Sequence, residues 1–178
     1  EKILGNSAGL IVVFSIFLTV FFLVYKTPAL YAFGASDLTI GYAEDYIGIY
    51  LFGTIFVETA LGLNTFISGQ GAAKTAMFSV LIGAVINICL DPVFIFVMGM
   101  GVKGAALATV LSQALSSAWV VCFLASKRSV VLLRLRNMRL EAGIVGKTMA
   151  LGVSPFIMQS TESLVVVALN AGLQKYGG

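Results

Sequence analysis

Residues 76–98 read Ala76-Met-Phe-Ser-Val-Leu-Ile-Gly-Ala-Val-Ile-Asn-Ile-Cys-Leu-Asp-Pro-Val-Phe-Ile-Phe-Val-Met98, and this run decides the fold class. About 20 predominantly apolar residues, rising about 1.5 Å each as a helix, cross the hydrocarbon core of a bilayer. Within the run Ser79, Gly83, Asn87 and Asp91 recur every fourth residue and form one small-polar stripe. Pro92 lacks a backbone donor and frees the carbonyl of Ile88, so the helix should bend beside Asp91.

Working outward, four more runs have the same character, giving expected spans at Ala8–Tyr25, Tyr46–Ser68, Gly104–Ser126 and Thr148–Asn170. The whole chain agrees: of 178 residues, 59% are hydrophobic and 11% charged, too little polar surface for a soluble domain of this size. The expected fold is therefore an all-α, polytopic bundle of about five transmembrane helices. The first run has no basic n-region and no small-residue cleavage site, and it opens at Glu1; it reads as a true span whose chain begins further upstream.

The connections carry the charges. A loop containing Pro28, Gly34, Asp37, Gly41, Glu44 and Asp45 is expected after the first span, and short turns at Gly69–Thr75 and Gly99–Lys103. The fourth connection, Lys127–Lys147, is long and basic, with leucines interleaved. One side of the membrane holds Lys2, Lys74, Lys127, Arg128, Arg134, Arg136, Arg139 and Lys147; the other holds only Lys26, Lys103 and Lys175. The positive-inside rule then puts the amino end of this chain in the cytoplasm of a cell membrane and the acidic Asp37–Asp45 loop outside. Residues 130–140 could lie flat at the lipid interface, but a linker between lobes is the preferred reading, and a basic stretch pinned to a membrane is a poor ligand for nucleic acid. Cys89 and Cys122 fall inside apolar runs and read as small buried thiols.

Three acids, Glu58, Asp91 and Glu162, sit inside spans that hold no deep lysine or arginine. An ionised acid at the bilayer centre costs on the order of 3 kcal/mol even on insertion scales. Each therefore needs a proton, a partner or water, and together they point to function in a hydrated cavity. Their neighbours are suited to one. Thr54, Glu58, Gly62 and Thr65 share a face of the second span, and Gly104, Ala108, Ser112 and Ser116 make a close-approach face on the fourth, with Thr109 and Gln113 beside it. In the fifth, Gly152, Pro155, Gln159, Glu162, Val166 and Asn170 follow a three-four spacing. Asp91 lies roughly 22 Å above the cytoplasmic start of its span and Thr109 roughly 8 Å below the outer start of the next. In a core of about 30 Å those heights coincide, so Asn87, Asp91 and Thr109 can meet at one site whose oxygens suit a proton or Na+.

Catalytic readings are weak. There is no histidine for a nucleophile–base pair or a zinc site, Gly69-Gln-Gly71 with Lys74 lacks phosphate-loop spacing, and an aspartyl protease needs two apposed aspartates where only Asp91 is buried. No enzyme and no cofactor are expected.

The segments Gly62-Leu-Asn-Thr-Phe-Ile-Ser-Gly-Gln-Gly71 with Lys74, Asn87-Ile-Cys-Leu-Asp-Pro-Val-Phe-Ile-Phe96, Gly101-Val-Lys-Gly-Ala-Ala-Leu-Ala-Thr-Val-Leu-Ser-Gln113 and Gly152-Val-Ser-Pro-Phe-Ile-Met-Gln159 together resemble helices four to seven of the multidrug and toxic compound extrusion (MATE) family. The resemblance implies twelve helices in two rocking six-helix lobes, of which this chain supplies about helices three to seven. Residues 1–126 would be part of the amino-terminal lobe, 127–147 a cytoplasmic basic linker and 148–178 the start of the carboxy-terminal lobe. It also implies that Asn87, Asp91 and Thr109 belong to a cation site completed by an acid on the first helix, outside this chain, and that Glu162 lies near the depth of a seventh-helix glutamate used by one branch. Glu58 matches no family site; Glu58, Gln113, Gln159 and Glu162 are candidate cavity or substrate-binding residues. The expected function is a Na+- or H+-coupled antiporter that exports amphipathic organic cations, working in the lipid bilayer with the remaining helices of the transporter. A flippase for lipid-linked glycans would need a cationic cavity, a non-transporting scaffold would not need the acids, and an ion channel would pass ions without exchanging a substrate.

Overall fold

The computed structural model describes residues 1–176. Helix α1 runs Lys2–Ala32, α2 Ile40–Tyr50, α3 Thr54–Gly69, α4 Ala73–Pro92, α5 Val102–Ala125 and α6 Ala142–Tyr176. A single 3-10 turn, Leu51–Gly53, joins α2 to α3, so the two form one 30-residue rod from Ile40 to Gly69. Five helical segments are thus long and apolar enough to cross a membrane, as expected.

The helices outrun the expected spans at several ends. Pro28 lies inside α1, and Gly41, Glu44 and Asp45 inside α2, so only residues 33–39 connect them. Hydropathy measures the stretch that fits in hydrocarbon; a helix continues into the headgroup layer until something stops it. Pro28 does not stop α1, because the backbone gives way one turn earlier: Tyr25 leaves helical geometry at φ −105°, ψ 17°. What ends α1 is Gly34 at φ +98°, with the Ala35 amide donating to Leu30 O and the Gly34 amide to Tyr31 O. Gly71, at φ +83°, closes α3 with the same pair of bonds, Ala72 N to Ile67 O and Gly71 N to Ser68 O. The expected turn at Gly69–Gly71 is therefore observed. Likewise α6 starts at Ala142, which puts Lys147 inside the helix and shortens the basic connection.

Beyond Pro92 the chain widens into one π-turn, Val93–Val97, closed by the Met98 amide on Val93 O at 2.8 Å. A bend was expected beside Asp91; Pro92 instead keeps helical backbone angles (φ −60°, ψ −36°), and the departure from α geometry is this turn just beyond it.

The apolar core lies toward one end of the bundle, formed by Leu4, Ala8, Leu63, Ile67, Ala76, Val120 and Leu124. Val131, Leu133 and Met138 of the connection after α5 pack onto it. That connection is neither a flat amphipathic helix nor a loose tether: it forms one short 3-10 turn, Leu135–Met138, pressed against α1. Gly5 makes the contact possible, since a Cβ there would lie 2.4 Å from Asn137 O. Polar clamps hold both ends. Gln70 Oε1 accepts from Ser129 Oγ (2.9 Å) and from the amides of Val130 (2.7 Å) and Val131 (3.3 Å). Asn6 Oδ1 accepts from the Glu141 amide at 2.7 Å, and Lys2 pairs with Glu141 at 3.0 Å. We call this end of the bundle the linker side.

At the opposite end Gly34 meets Asn170, and Lys103 pairs with Asp45 at 3.3 Å. Because α6 starts beside the start of α1 and reaches Asn170 beside its end, α1 and α6 cross in the same direction. The outward faces are apolar: Ile88, Phe96 and Val97 are 70%, 78% and 81% exposed. Only lipid or other apolar helices can cover such faces. Both thiols are on these faces, so Cys89 and Cys122 are exposed, contrary to the expected burial; an apolar neighbourhood in sequence does not separate a lipid-facing position from a packed one.

Two substitutions test this packing in a full-length transporter carrying the sequence. A Cβ at Gly104 would lie 2.7–2.8 Å from the carbonyl of Phe94, whereas one at Gly48 meets nothing within 4 Å. Gly104→Val should lower the melting temperature of the purified protein, at a cost of about 1–3 kcal/mol, and Gly48→Ala should leave it unchanged or slightly raised. Gln70→Ala strips the Val130 and Val131 amides of their acceptor, while Ser129 Oγ keeps Val131 O. Hydrogen exchange should then rise across residues 129–133 while the helices stay protected.

Candidate functional site

The seam between α4 and α5 positions the candidate residues. On α5, Gly104, Ala108, Ser112 and Ser116 are all buried, as the close-approach face requires. Ser112 and Ser116 meet Ser79 and Gly83 of α4: Ser116 Oγ donates to Ser79 O at 2.7 Å, and a Cβ on Gly83 would just touch that of Ser116 at 3.4 Å. The remaining hydroxyls bond back to their own helices, Ser79 to Ala76 O and Ser112 to Thr109 O, so the seam is polar yet internally satisfied. Asn64 of α3 adds a bond to Ala76 O at 3.2 Å and fastens the third helix.

Where the seam opens, it leaves a cavity of about 210 Å³ lined by Asn87 of α4, Thr109 and Gln113 of α5, and Ala60 and Leu61 of α3, with serines at its base. Asp91 is not part of that wall. It stands one turn further along α4, half-buried, and accepts from Asn87 Nδ2 at 3.4 Å. Asn87 therefore links the carboxylate to the cavity. Thr109 gives its proton to Ala105 O at 2.9 Å, which leaves its lone pairs toward a ligand. Counting from the linker-side helix ends, Asp91 is about 27 Å up and Thr109 about 24 Å, so their heights match with the observed boundaries as well. The set offers a carboxylate, an amide carbonyl and a hydroxyl, all oxygens suited to a proton or a hard cation. Asn87, Thr109 and Gln113 are thus brought to one cavity, and Asp91 is joined to it through Asn87.

The other candidates are elsewhere. Glu58 of α3 is half-buried against α1, where Ser15 Oγ donates to Glu58 Oε2 at 2.6 Å. Gln159 and Glu162 are both exposed on α6, joined to each other by a 3.0 Å hydrogen bond. They do not line the cavity; among the described helices α6 packs chiefly against α1.

Sequence reasoning passed over Ser15, Asn6 and Gln70. Ser15 is a small polar residue in an apolar run, with only Thr19 one turn further on the same face of its helix. Its significance lies wholly in Glu58, across an inter-helix contact that sequence spacing does not encode.

The MatE family model matches residues 1–93. Multidrug export protein MepA of Staphylococcus haemolyticus (strain JCSC1435) is 27% identical over 143 residues, and that of Staphylococcus saprophyticus is 28% identical over 144. These matches cover 80% and 81% of this chain and 32% of each relative, so the chain spans about a third of the length of those proteins. Among solved structures, a MATE transporter in its bent conformation aligns with a TM-score of 0.70 at 26% identity, over 81% of this chain and 37% of that one. An inward-facing multidrug resistance MATE transporter aligns with a TM-score of 0.81 at 23% identity, over 93% and 43%, which speaks to the fold alone. The helices, their order and the matched residues agree: this chain belongs to the MatE family, the multidrug and toxic compound extrusion transporters.

Proposed function

We propose that this chain forms part of a cation-coupled antiporter that exchanges entering Na+ or H+ for an amphipathic organic cation. The observation that carries the reading is the Asn87–Asp91 pair beside Thr109 and Gln113, an oxygen-rich patch high in an apolar bundle. A carboxylate at that depth is costly when empty and ionised, and neutralising it with a proton, a metal cation or a cationic substrate recovers the cost. Ions that compete for one carboxylate are coupled, because occupancy by one displaces the other. The naming of the staphylococcal relatives as multidrug export proteins supports efflux as the direction.

In this reading, residues 1–126 belong to the amino-terminal lobe, 127–147 to the inter-lobe linker and 148–178 to the start of the second lobe. The linker side faces the cytoplasm, which the bias of lysine and arginine favours. Glu162 and Gln159, exposed on α6, would then face a cleft completed by helices of the second lobe.

Asp91→Asn removes the charge but keeps the size of the side chain. In a full-length transporter carrying this sequence, ethidium efflux driven by a Na+ or proton gradient should fall at least tenfold. Unchanged coupled efflux would remove Asp91 from the mechanism. A hydrated cavity also predicts a labelling pattern on a background with Cys89→Ala and Cys122→Ala. Gln113→Cys should react with a water-soluble methanethiosulfonate, and Leu115→Cys, on an outward face that is 50% exposed, should not, because the reactive thiolate forms only in water.

A further inference from the structure

The Ser15–Glu58 pair has a chemistry of its own, and the cation site does not use it. Glu58 is a carboxyl inside a membrane-spanning rod, half-buried, with a 2.6 Å bond from a hydroxyl that is itself 1% exposed. Ser15 can serve both protonation states: it donates to the ionised carboxylate, and by rotating its hydroxyl it accepts from the protonated acid. A lysine would hold Glu58 permanently charged. A partner that can only donate would disfavour the acid. A serine leaves the proton free to come and go.

The surroundings keep the pair clear of other charges. On α1 the titratable groups, Lys2, Tyr25, Lys26 and Tyr31, lie toward its ends, and the hydroxyls it brings to the joined rod are Ser15, on Glu58, and Thr19, on Leu51 O of the 3-10 turn. On α5 there are only Lys103 at its start and the outward Cys122; on α4, Lys74 at its start, the outward Cys89, and Asp91. On the joined α2, Glu44, Asp45, Tyr42, Tyr46 and Tyr50 all lie beyond Thr54, toward the far end.

Position supplies the second argument. From the linker-side end of α3, Glu58 stands about 16 Å up, which is about 10 Å below Asp91. Leu61, three residues on and hence on the same side of α3, lines the cavity that holds Asn87 and Thr109. Glu58 is therefore one helical turn from that cavity and displaced from the Asp91 site toward the linker side.

We propose that Glu58, positioned by Ser15, is a second proton-carrying group on the path between the Asp91 site and the linker side. This rests on Asp91 being an ion site and adds that the ion passing Glu58 is a proton. The carboxylate takes one proton from water in the cavity, left there by Asp91 as it returns to its carboxylate form. It then releases that proton to linker-side water once the transporter opens that side, which Leu63 and Ile67 close in this structure, so charge and protons balance at each step. With Ser15, Glu58 supplies three oxygens, a set suited to a proton and too small to enclose a metal cation.

The experiment uses a full-length transporter carrying this sequence in proteoliposomes, with ethidium as the probe. Glu58→Gln should bind ethidium as the parent protein does but lose at least tenfold in efflux driven by a pH gradient, and Glu58→Asp should recover much of it. Ser15→Ala removes the hydroxyl that serves both protonation states, so the pH–rate profile of efflux should change while ethidium binding does not, a readout that a packing role would not move. If Glu58→Gln pumps at the parental rate with an unaltered pH profile while Asp91→Asn is inactive, the relay is wrong and the Asp91 site stands. If Asp91→Asn also pumps normally, the failure belongs to the ion-site reading. Should Glu58→Gln fail to fold, an unshifted Ser15→Ala profile overturns the relay.

Discussion

Close contact along the α4–α5 seam is the constraint on which the rest of this structure depends. In a bilayer, apolar side chains gain little by leaving lipid for protein, so helices associate through intimate packing and hydrogen bonds. Here the packing is bought with small residues: Gly83 against Ser116, Gly104 against the Phe94 carbonyl, and Ser116 bonded to the backbone of Ser79. Because the two backbones are drawn together there, the larger polar residues further along, Asn87, Thr109 and Gln113, are held a cavity's width apart. The site is thus a by-product of side-chain size along two neighbouring helices.

The linker side is built on a different balance. Leu4, Ile67, Val120 and Leu124 are fully or almost fully removed from solvent there, covered by Val131, Leu133 and Met138. Those three belong to the irregular connection between α5 and α6; full burial of such a side chain is worth about 1.5–3 kcal/mol, and these, partly buried, recover part of it. Gln70 and Asn6 satisfy the segment's backbone, which a buried, irregular chain could not leave unpaired. A basic stretch that could have been a free tether becomes a fitted floor beneath the bundle.

How much of this could be read from the sequence differs by feature. The five crossings, the stripe ending in Asp91 and the buried face of α5 were legible, because each repeats at the helical period and lies within one helix. The match in height between Asp91 and Thr109 was legible too, since α-helical rise is fixed and the turn at Gly99–Gly101 is short. The helix ends were misread around Pro28 and Lys147, where hydropathy falls but the backbone ladder continues. Cys89 and Cys122 were misread because lipid and protein are equally apolar surroundings. The Ser15–Glu58 and Gln70–Val130 contacts lay beyond reach, joining residues 43 and 60 apart through docking that no local pattern records.

The wide turn at Val93–Val97 has a mechanical consequence. A π-turn holds one more residue than the α-turn it replaces, so it is a stored register shift. Were it drawn back into α geometry, every side chain beyond it would rotate by about 100° about the helix axis. Gly104 resists this, because it clasps the Phe94 carbonyl within the turn itself. Rewinding the turn would therefore have to break this contact, which ties the register of the far end of α4 to the packing of α5.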